Sequence, residues 1–507
     1  MLKPVDKGRR EFAGYDGGSW VADVLGPADA PTVLLLHGGG QTRHAWGGTA
    51  LALASAGYRA VALDLPGHGE SAWSVAGAYR IDTLAQGMSR LWGELGTPLA
   101  VVGASLGGLI SMTAVGLSDA PPIAALALVD IAPRLESVGV DRIVNFMRAH
   151  PDGFATLDDA ARHISAYRGR PVAAHPRGLQ KNPRLNKQGR WDIGRFLWRC
   201  WRAAAAFRPH VVIGYMKIAN LVALAIGKLS GAKVVWAVRD SNTDMARYDW
   251  LSRVAFRLEC LLARWTDLVI FNSQAGLKHY GARGFPKKSS IVIPNGIDVD
   301  RCKPDPEARR RVRLKWQLMD VQPLIGMVAR MDAMKDHQTF LRAAARLAQQ
   351  RDDVRFACIG DGTPEVRASL IEMSKHLNLY EKVIWEAGNE NIGDVYCALD
   401  VMSLSSAYGE GFPNVIGEAM ACGVPCVVTD VGDARQVVGS TGGVVPPSSA
   451  AEMAKKWNDM LDALPQRRSA MARACRQRIV ESFSSKKLAA RTESVLKTLL
   501  IRSPRPI

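Results

Sequence analysis

Cysteine is absent from the first 199 residues of this 507-residue chain; all 8 cysteines lie from Cys200 onward. They form neither a CxxC pair nor a regular framework, which argues against a disulfide scaffold and for reduced core thiols in a cytosolic protein. Histidine is sparse in the second half, where only His210, His279, His337 and His376 follow Trp191. No uninterrupted apolar run could cross a membrane. The best candidate, Val211 to Leu229, is broken by Lys217 and Lys228 and reads better as a strand, a turn and a helix. The opening Met1-Leu2-Lys3-Pro4-Val5-Asp6 lacks the pattern of a secretory leader, so a soluble cytoplasmic protein is the expectation. Repeats, low-complexity tracts and nucleic-acid motifs are also missing. What is there is ordinary globular composition: 48% hydrophobic and 22% charged residues, which excludes a disordered or collagen-like chain. The length implies roughly two or three domains. The net charge of +17 is uneven: residues 1–190 hold 19 Lys+Arg against 16 Asp+Glu, and the remainder 46 against 32.

Residues 1–130 alternate short β-rich runs with helical stretches, the pattern of a doubly wound α/β sheet. Strands are expected at 32–36, 59–63, 99–102 and 125–129. Residues 135–190 read as polar and helical. A second α/β series begins after Trp191, with a basic amphipathic helix over 196–207 and strands at 211–213, 234–238, 268–271 and 291–293. A third starts at Leu324 and continues through strands at 354–359, 401–404 and 425–428 into a helical end. The fold class is therefore α/β with Rossmann-like parallel sheets.

Gly103-x-Ser105-x-Gly107 follows a strand and precedes a helical run. Glycines at those two places permit a sharp turn that lifts a serine hydroxyl clear of the sheet. The turn sets the Leu106 amide at a helix start, and His37-Gly38-Gly39-Gly40 offers a second amide at Gly39 for an oxyanion. With Asp64-Leu65-Pro66-Gly67-His68-Gly69-Glu70-Ser71, these residues resemble the α/β-hydrolase superfamily over about residues 12–190. The resemblance implies an acyl hydrolase with Ser105 as nucleophile and Gly39 and Leu106 at the oxyanion hole. Asp130, at the end of a later strand, stands where the acid could be. His37 and His68 read as turn residues. No histidine follows the expected late strand, and a serine without its base loses most of its nucleophilicity.

Two further signatures lie in the third series. Gly326-Met327-Val328-Ala329-Arg330 leads to Lys335-Asp336-His337-Gln338-Thr339-Phe340, so Arg330 and Lys335 project from a strand-to-helix loop where paired cations suit a diphosphate. Glu410-Gly411-Phe412-Pro413-Asn414-Val415-Ile416-Gly417-Glu418 places one carboxylate in a Gly-Pro loop and another in the helix that follows. Such carboxylates accept hydrogen bonds from sugar hydroxyls, and glycine leaves room for phosphate near the Gly411 and Phe412 amides. Here the chain resembles the family-4 retaining glycosyltransferases of the GT-B fold, over about residues 191–500. By that resemblance Arg330 and Lys335 bind the donor diphosphate, Glu410 contacts the donor sugar, Glu418 holds the ribose, and Asn295-Gly296-Ile297-Asp298 is the hinge. The donor is a nucleotide-diphosphate sugar; no cofactor and no metal are expected. Arg239 and Asp240, at a strand end, are acceptor-side candidates, with a strand-end salt bridge as the plain alternative.

The expected domains are thus a partial hydrolase-like unit (1–190), a truncated acceptor-side unit (191–298), a donor-binding unit (299–480) and a C-terminal helix and tail (481–507). The two partial sheets are expected to merge into one hybrid sheet. The expected function is retaining sugar transfer, impaired by the truncated acceptor side. The alternatives are a serine hydrolase that is inactive for want of its histidine, and a non-catalytic fusion. Two basic clusters, Arg309 to Lys315 and Arg195, Arg199 and Arg202, could face anionic lipid or simply be solvated. The resemblance favours a lipid-linked or polysaccharide acceptor at the inner face of a membrane.

Overall fold

The computed structural model describes residues 7–501, apart from 15–16, 75–76, 78, 97–98, 118–122, 130–200, 203, 206, 240, 242–249 and 389–390. Expectations for Asp130, Asp240, Arg195, Arg199, the helical 135–190 and the seam near Trp191 fall outside the described residues. The chain divides into two compact units, Met1–Pro209 and His210–Ile507.

The first unit holds a six-stranded sheet: β1 (Lys7–Ala13), β2 (Ser19–Leu25), β3 (Thr32–Leu36), β4 (Arg59–Leu63), β5 (Leu99–Ala104) and β6 (Ala125–Val129), in the order β1-β2-β4-β3-β5-β6. β3 to β6 are parallel, as the apolar runs suggested, but β1 and β2 form an antiparallel hairpin that the sequence reading passed over. β3 is apolar at every position after Thr32 because both faces are covered. Leu34 and Leu36 pack with Met88, Leu91, Trp92 and Ile110, whereas Val33 and Leu35 pack with Ala50 and Ala54. That alternation is the two-residue period of a strand buried on both sides.

The second unit holds two parallel sheets. One has four strands, β7 (Val211–Tyr215), β8 (Lys233–Val238), β9 (Leu268–Phe271) and β10 (Ser290–Val292), in the order β10-β9-β8-β7. The other has six, β11 (Leu324–Val328), β12 (Arg355–Ile359), β13 (Val383–Glu386), β14 (Val401–Leu404), β15 (Cys426–Thr429) and β16 (Gly443–Val445), in the order β13-β12-β11-β14-β15-β16. In chain order the latter reads third-second-first-fourth-fifth-sixth, the doubly wound arrangement with its reversal between β11 and β14. The four-stranded sheet runs in simple sequence and has no such reversal.

The described strands form three sheets, one in the first unit and two in the second. Helices rather than added strands bury the faces of the short sheet. After the helix Ala450–Phe483 has packed Trp457 and Leu461 into the core of the six-stranded sheet, the chain crosses back, and the helix Ser485–Ile501 lays Leu488, Val495, Leu496 and Leu499 against Val235, Leu268 and Ile270. The crossing is pinned at the hinge, where the Ile297 amide donates to the Phe483 carbonyl at 2.7 Å and the Ser485 amide to the Ile297 carbonyl at 2.9 Å. A Cβ on Gly296 would stand 2.6 Å from Ser485 Cα, so only glycine fits. Among the described strands of this unit β7 pairs only with β8, and its Tyr215 is exposed. The described cysteines are free thiols, and all but Cys260 are buried.

Candidate active sites

Ser105 occupies the turn between β5 and the helix Leu106–Val115 with φ 45° and ψ −111°, a conformation a serine adopts only when its surroundings enforce it. The two flanking glycines explain how. A Cβ on Gly103 would lie 2.6 Å from the Gly107 carbonyl oxygen, and one on Gly107 would lie 2.6 Å from that of Leu36. The Gly107 amide donates to the His37 carbonyl at 3.1 Å, which draws the glycine loop against the turn. A Cβ on Gly38 would be 3.2 Å from Ser105 Cβ, and one on Gly39 would be 3.9 Å from Leu106. The structure thus brings Gly39, Ser105 and Leu106 together. The Gly38 amide is taken by Gln41 Oε1 at 3.0 Å and the Gly40 amide by His68 Nε2 at 3.1 Å.

The catalytic half of the arrangement is missing among the described residues. The Ser105 hydroxyl has no hydrogen-bond partner there. His37 is buried, its Nε2 accepts from the Leu65 amide at 3.0 Å, and its Nδ1 lies 2.8 Å from the Gly38 carbonyl. Burial pushes its pKa down to about 4, against the smaller pull of the Gly38 carbonyl. Both histidines tie the 37–40 loop to the 64–70 loop. Sequence reasoning missed the residue that anchors the latter, Arg43. Its Nη1 meets Asp64 Oδ2 at 2.5 Å, its Nε meets Asp23 at 2.9 Å and its Nη2 meets Glu70 at 3.1 Å. Burial opposes its charge, but the three carboxylates outweigh that and raise its pKa. Gly69 is glycine because the Asp64 carboxylate fills the space a Cβ would need.

The second site lies at the reversal of the doubly wound sheet. The loop after β11 carries Arg330 and Lys335; the loop after β14 carries Glu410. They are stitched together: the Ser405 hydroxyl donates to the Lys335 and Asp336 carbonyls at 3.0 and 2.9 Å, and the Ala407 amide to the Met334 carbonyl at 2.9 Å. Lys335 Nζ consequently stands 2.5 Å from Glu410 Oε1, and Ser406 Oγ donates to the same oxygen at 2.5 Å. Both charges are largely buried. Arg330 is not drawn in: it is mostly exposed, 3.3 Å from Asp332. Asp336 caps the helix His337–Ala348 through the Thr339 amide at 3.1 Å. Phe340, Ala344 and Leu347 on that helix are buried, as the spacing predicts.

Glu418, in the helix Asn414–Ala421, accepts from the Tyr396 hydroxyl at 2.9 Å. Burial, then the Glu418 charge, pushes the tyrosine pKa well up. Tyr396 gave no sequence signal, since it lies in an unremarkable helix. The Phe412 ring is in the core, 5.4 Å from Phe483, which leaves the backbone of Gly411-Phe412 as the loop's polar surface. Arg239 donates to Asn295 Oδ1 at 2.7 Å, and Asn295 Nδ2 to Asn414 Oδ1 at 2.9 Å, so it reaches the hinge. Ser241 donates to the Glu410 carbonyl. The Arg309–Lys315 cluster is split: Arg309 and Arg313 are turned inward, while Arg310, Arg311 and Lys315 are more than half exposed. Arg309 and the buried Arg313 meet Asp400 at 3.0 and 3.3 Å, Arg311 meets Asp394 at 3.0 Å, and Lys315 meets Glu386 at 2.6 Å. A buried Asp400 demands those cations. Among the described residues no group of three or more histidine, cysteine or acidic side chains is placed to hold a metal ion. None of their helices is long and apolar enough to cross a membrane.

Comparison with known proteins agrees with this geometry. Residues 31–212 match the family described as alpha/beta hydrolase fold, 152–301 Glycosyltransferase Family 4, and 322–463 Glycosyl transferases group 1. The first two matches overlap, around the expected seam. A GDP-mannose-dependent alpha-(1-6)-phosphatidylinositol monomannoside mannosyltransferase of Mycolicibacterium smegmatis is 29% identical over 240 residues, 45% of this chain and 62% of that protein. An esterase of Mycobacterium tuberculosis is 36% identical over 182 residues, 34% of this chain and 56% of that protein. The chain therefore spans less than two thirds of the length of either. The crystal structure of Anabaena HepE in complex with UDP shares the fold at 21% identity, with a TM-score of 0.54 over 60% of this chain and 82% of that one.

Proposed function

We propose that this chain, which joins an α/β-hydrolase-fold segment to a glycosyltransferase segment of the GT-B fold, transfers a sugar from a nucleotide-diphosphate sugar with retention. The observation that carries the reading is the Lys335–Glu410–Ser406 cluster at the reversal between β11 and β14, where open parallel sheets bind their ligands. A donor diphosphate competes with Glu410 for Lys335, and Arg330 stands exposed on the same loop to join it. Glu410, released, accepts from sugar hydroxyls, and the free oxygen of Glu418 accepts from the ribose. Charge stabilisation of the departing diphosphate and positioning then supply the catalysis, with no metal required. Release of nucleoside diphosphate from a panel of UDP- and GDP-sugars, insensitive to EDTA, is the expected result. Tight nucleotide binding with no release would instead favour a non-catalytic donor-binding module.

The acceptor is proposed to be lipid-linked or a polysaccharide precursor, in line with the lipid substrate named for the mycobacterial relative. Peripheral contact with an anionic membrane at the cytoplasmic face is supported by the helix Trp250–Leu262. Its exposed Val254, Leu258 and Leu261, continued by Trp265, lie beside Arg257 and Arg264. Co-sedimentation with phosphatidylglycerol vesicles, lost at high salt, is the check.

The elbow favours a second reading, in which Ser105 is placed for hydrolysis but not activated. A fluorophosphonate probe should leave it unlabelled. Labelling that disappears in Ser105→Ala would restore a hydrolase.

A further inference from the structure

Asp433 follows β15 and bonds to the loop after β14 on one side and to the helix after β9 on the other. Its own amide donates to the Gly411 carbonyl at 3.0 Å, beside Glu410. Its carboxylate reaches the helix Gln274–Gly281, which follows β9: Oδ2 accepts from the Gln274 amide at 2.8 Å and Oδ1 from the Ala275 amide at 2.9 Å. Gly432 makes the turn possible with φ 62°, because a Cβ there would run into the Glu410 carbonyl. Asp433 is 6% exposed, and among the described residues no cation is paired with its carboxylate. A buried carboxylate without a counter-ion is costly, and here two amides at the positive end of a helix carry the compensation.

We infer that Asp433 is a positioning residue of the proposed transferase, a latch whose backbone holds the Glu410 loop while its side chain holds the acceptor-side lobe in register with the donor crevice. The inference rests on the transferase reading. It does not follow from the helix cap alone, since Ser273 already caps that helix through the Gly276 amide at 3.0 Å. The additional bonds come from 158 and 159 residues away and join the lobes. Other contacts cross at the same place: Ser241 to the Glu410 carbonyl, and Arg239 through Asn295 to Asn414.

Two variants test the latch from opposite sides. Asp433→Ala removes both acceptors. Gln274→Pro removes one donor without touching the donor lobe. Proline is favoured at the first position of a helix, and Ser273 before it is already extended at φ −151° and ψ 150°. Each variant should lower kcat for donor turnover, Asp433→Ala by about ten- to a hundredfold, as for loss of a charge-assisted pair of hydrogen bonds. The Kd for the nucleoside diphosphate should stay within about twofold, because that ligand belongs to the donor lobe. The Ala275 and Gly276 amides should exchange faster with solvent in both variants. Asp433→Asn, which keeps one acceptor oxygen, should recover part of the rate. Unchanged kcat and exchange in Gln274→Pro would overturn the latch, as would a fall in nucleotide affinity that tracks kcat. If Asp433→Ala does not fold, Gln274→Pro decides. If the wild type releases nucleoside diphosphate from no donor, the transferase reading fails, while amide exchange still reports on whether Asp433 holds the helix.

Discussion

Ser105 and Glu410 both stand in the loop at the carboxyl end of a parallel strand, yet among the described residues only the Glu410 side chain has partners. Glu410 is met by Lys335 and Ser406 on a single oxygen. Ser105 is held in a strained turn beside Gly39 and Leu106, and its hydroxyl has no partner among the described residues. The difference follows from where the partners come from. The elbow's backbone is shaped by Gly103, Gly107 and the 37–40 loop, all carried by β3, β5 and their connections. A serine's base is supplied by a distant, later segment. Glu410 and Lys335 lie on the loops after β14 and β11, the two neighbouring strands at the reversal of one six-stranded sheet.

The largest expected effect would break this comparison if it failed. Glu410→Gln should lower donor turnover by about a hundred- to a thousandfold, the range for losing one preorganised electrostatic group, whereas Ser105→Ala should leave it unchanged; nucleoside diphosphate release measures both. Next comes stability. Arg43→Met leaves Asp64 buried without its cation and should destabilise the first unit by about 3–5 kcal/mol in chemical denaturation. A cost below about 1 kcal/mol would show that the 64–70 loop does not depend on Arg43.

Among the described residues each unit also buries one histidine, His37 and His337, with pKa pushed down to about 4 by desolvation. The folded value lies below the unfolded one, so the stabilisation is complete above pH 6.5 and is lost as the pH falls towards 4, by up to about 3 kcal/mol per histidine. The two should respond differently to replacement. Among the described residues both ring nitrogens of His337 lack hydrogen-bond partners, so His337→Leu should flatten the acid limb of the stability curve at little cost near neutral pH. His37→Leu would strand the Leu65 amide and should be destabilising throughout. Denaturation curves at pH 7 and pH 5 separate the cases. The smallest effect belongs to Arg310, the one member of its cluster whose sole ion pair is a long, exposed one to Glu307 at 3.8 Å. Arg310→Ala should shift stability by no more than about 0.5 kcal/mol.

Most strands were legible because they are buried on both faces and read as unbroken apolar runs, as in Thr32–Leu36 and Leu324–Val328. The β1–β2 hairpin was not, because its first strand, Lys-Gly-Arg-Arg-Glu-Phe-Ala, carries four charges and pairs at the sheet edge. The elbow and the Lys335–Glu410 loops were legible from glycine spacing and charge. Arg43, Tyr396, Ser406 and Asp433 were not, since each acts on a partner brought to it by folding. The arginine run at 309–313 was legible only in part for the same reason: Arg310 and Arg311 are exposed, as a string of cations suggests, but Arg309 and Arg313 turn in to the buried Asp400.

The sequence by itself determined which turns were possible. Glycine at 103, 107, 296 and 432 leaves space that no other residue could, and this is a property of the local backbone and its nearest neighbours. It also determined which segments must be buried, through runs of apolar residues. Only the tertiary structure decided which charges meet. Electrostatic pairing depends on distances of a few ångströms between groups separated by tens to hundreds of residues. Lys335 finds Glu410 across 75 residues, and Asp433 finds Gln274 across 159. Ser105 finds no partner among the described residues, because a base must be delivered by the fold and cannot be written into the turn.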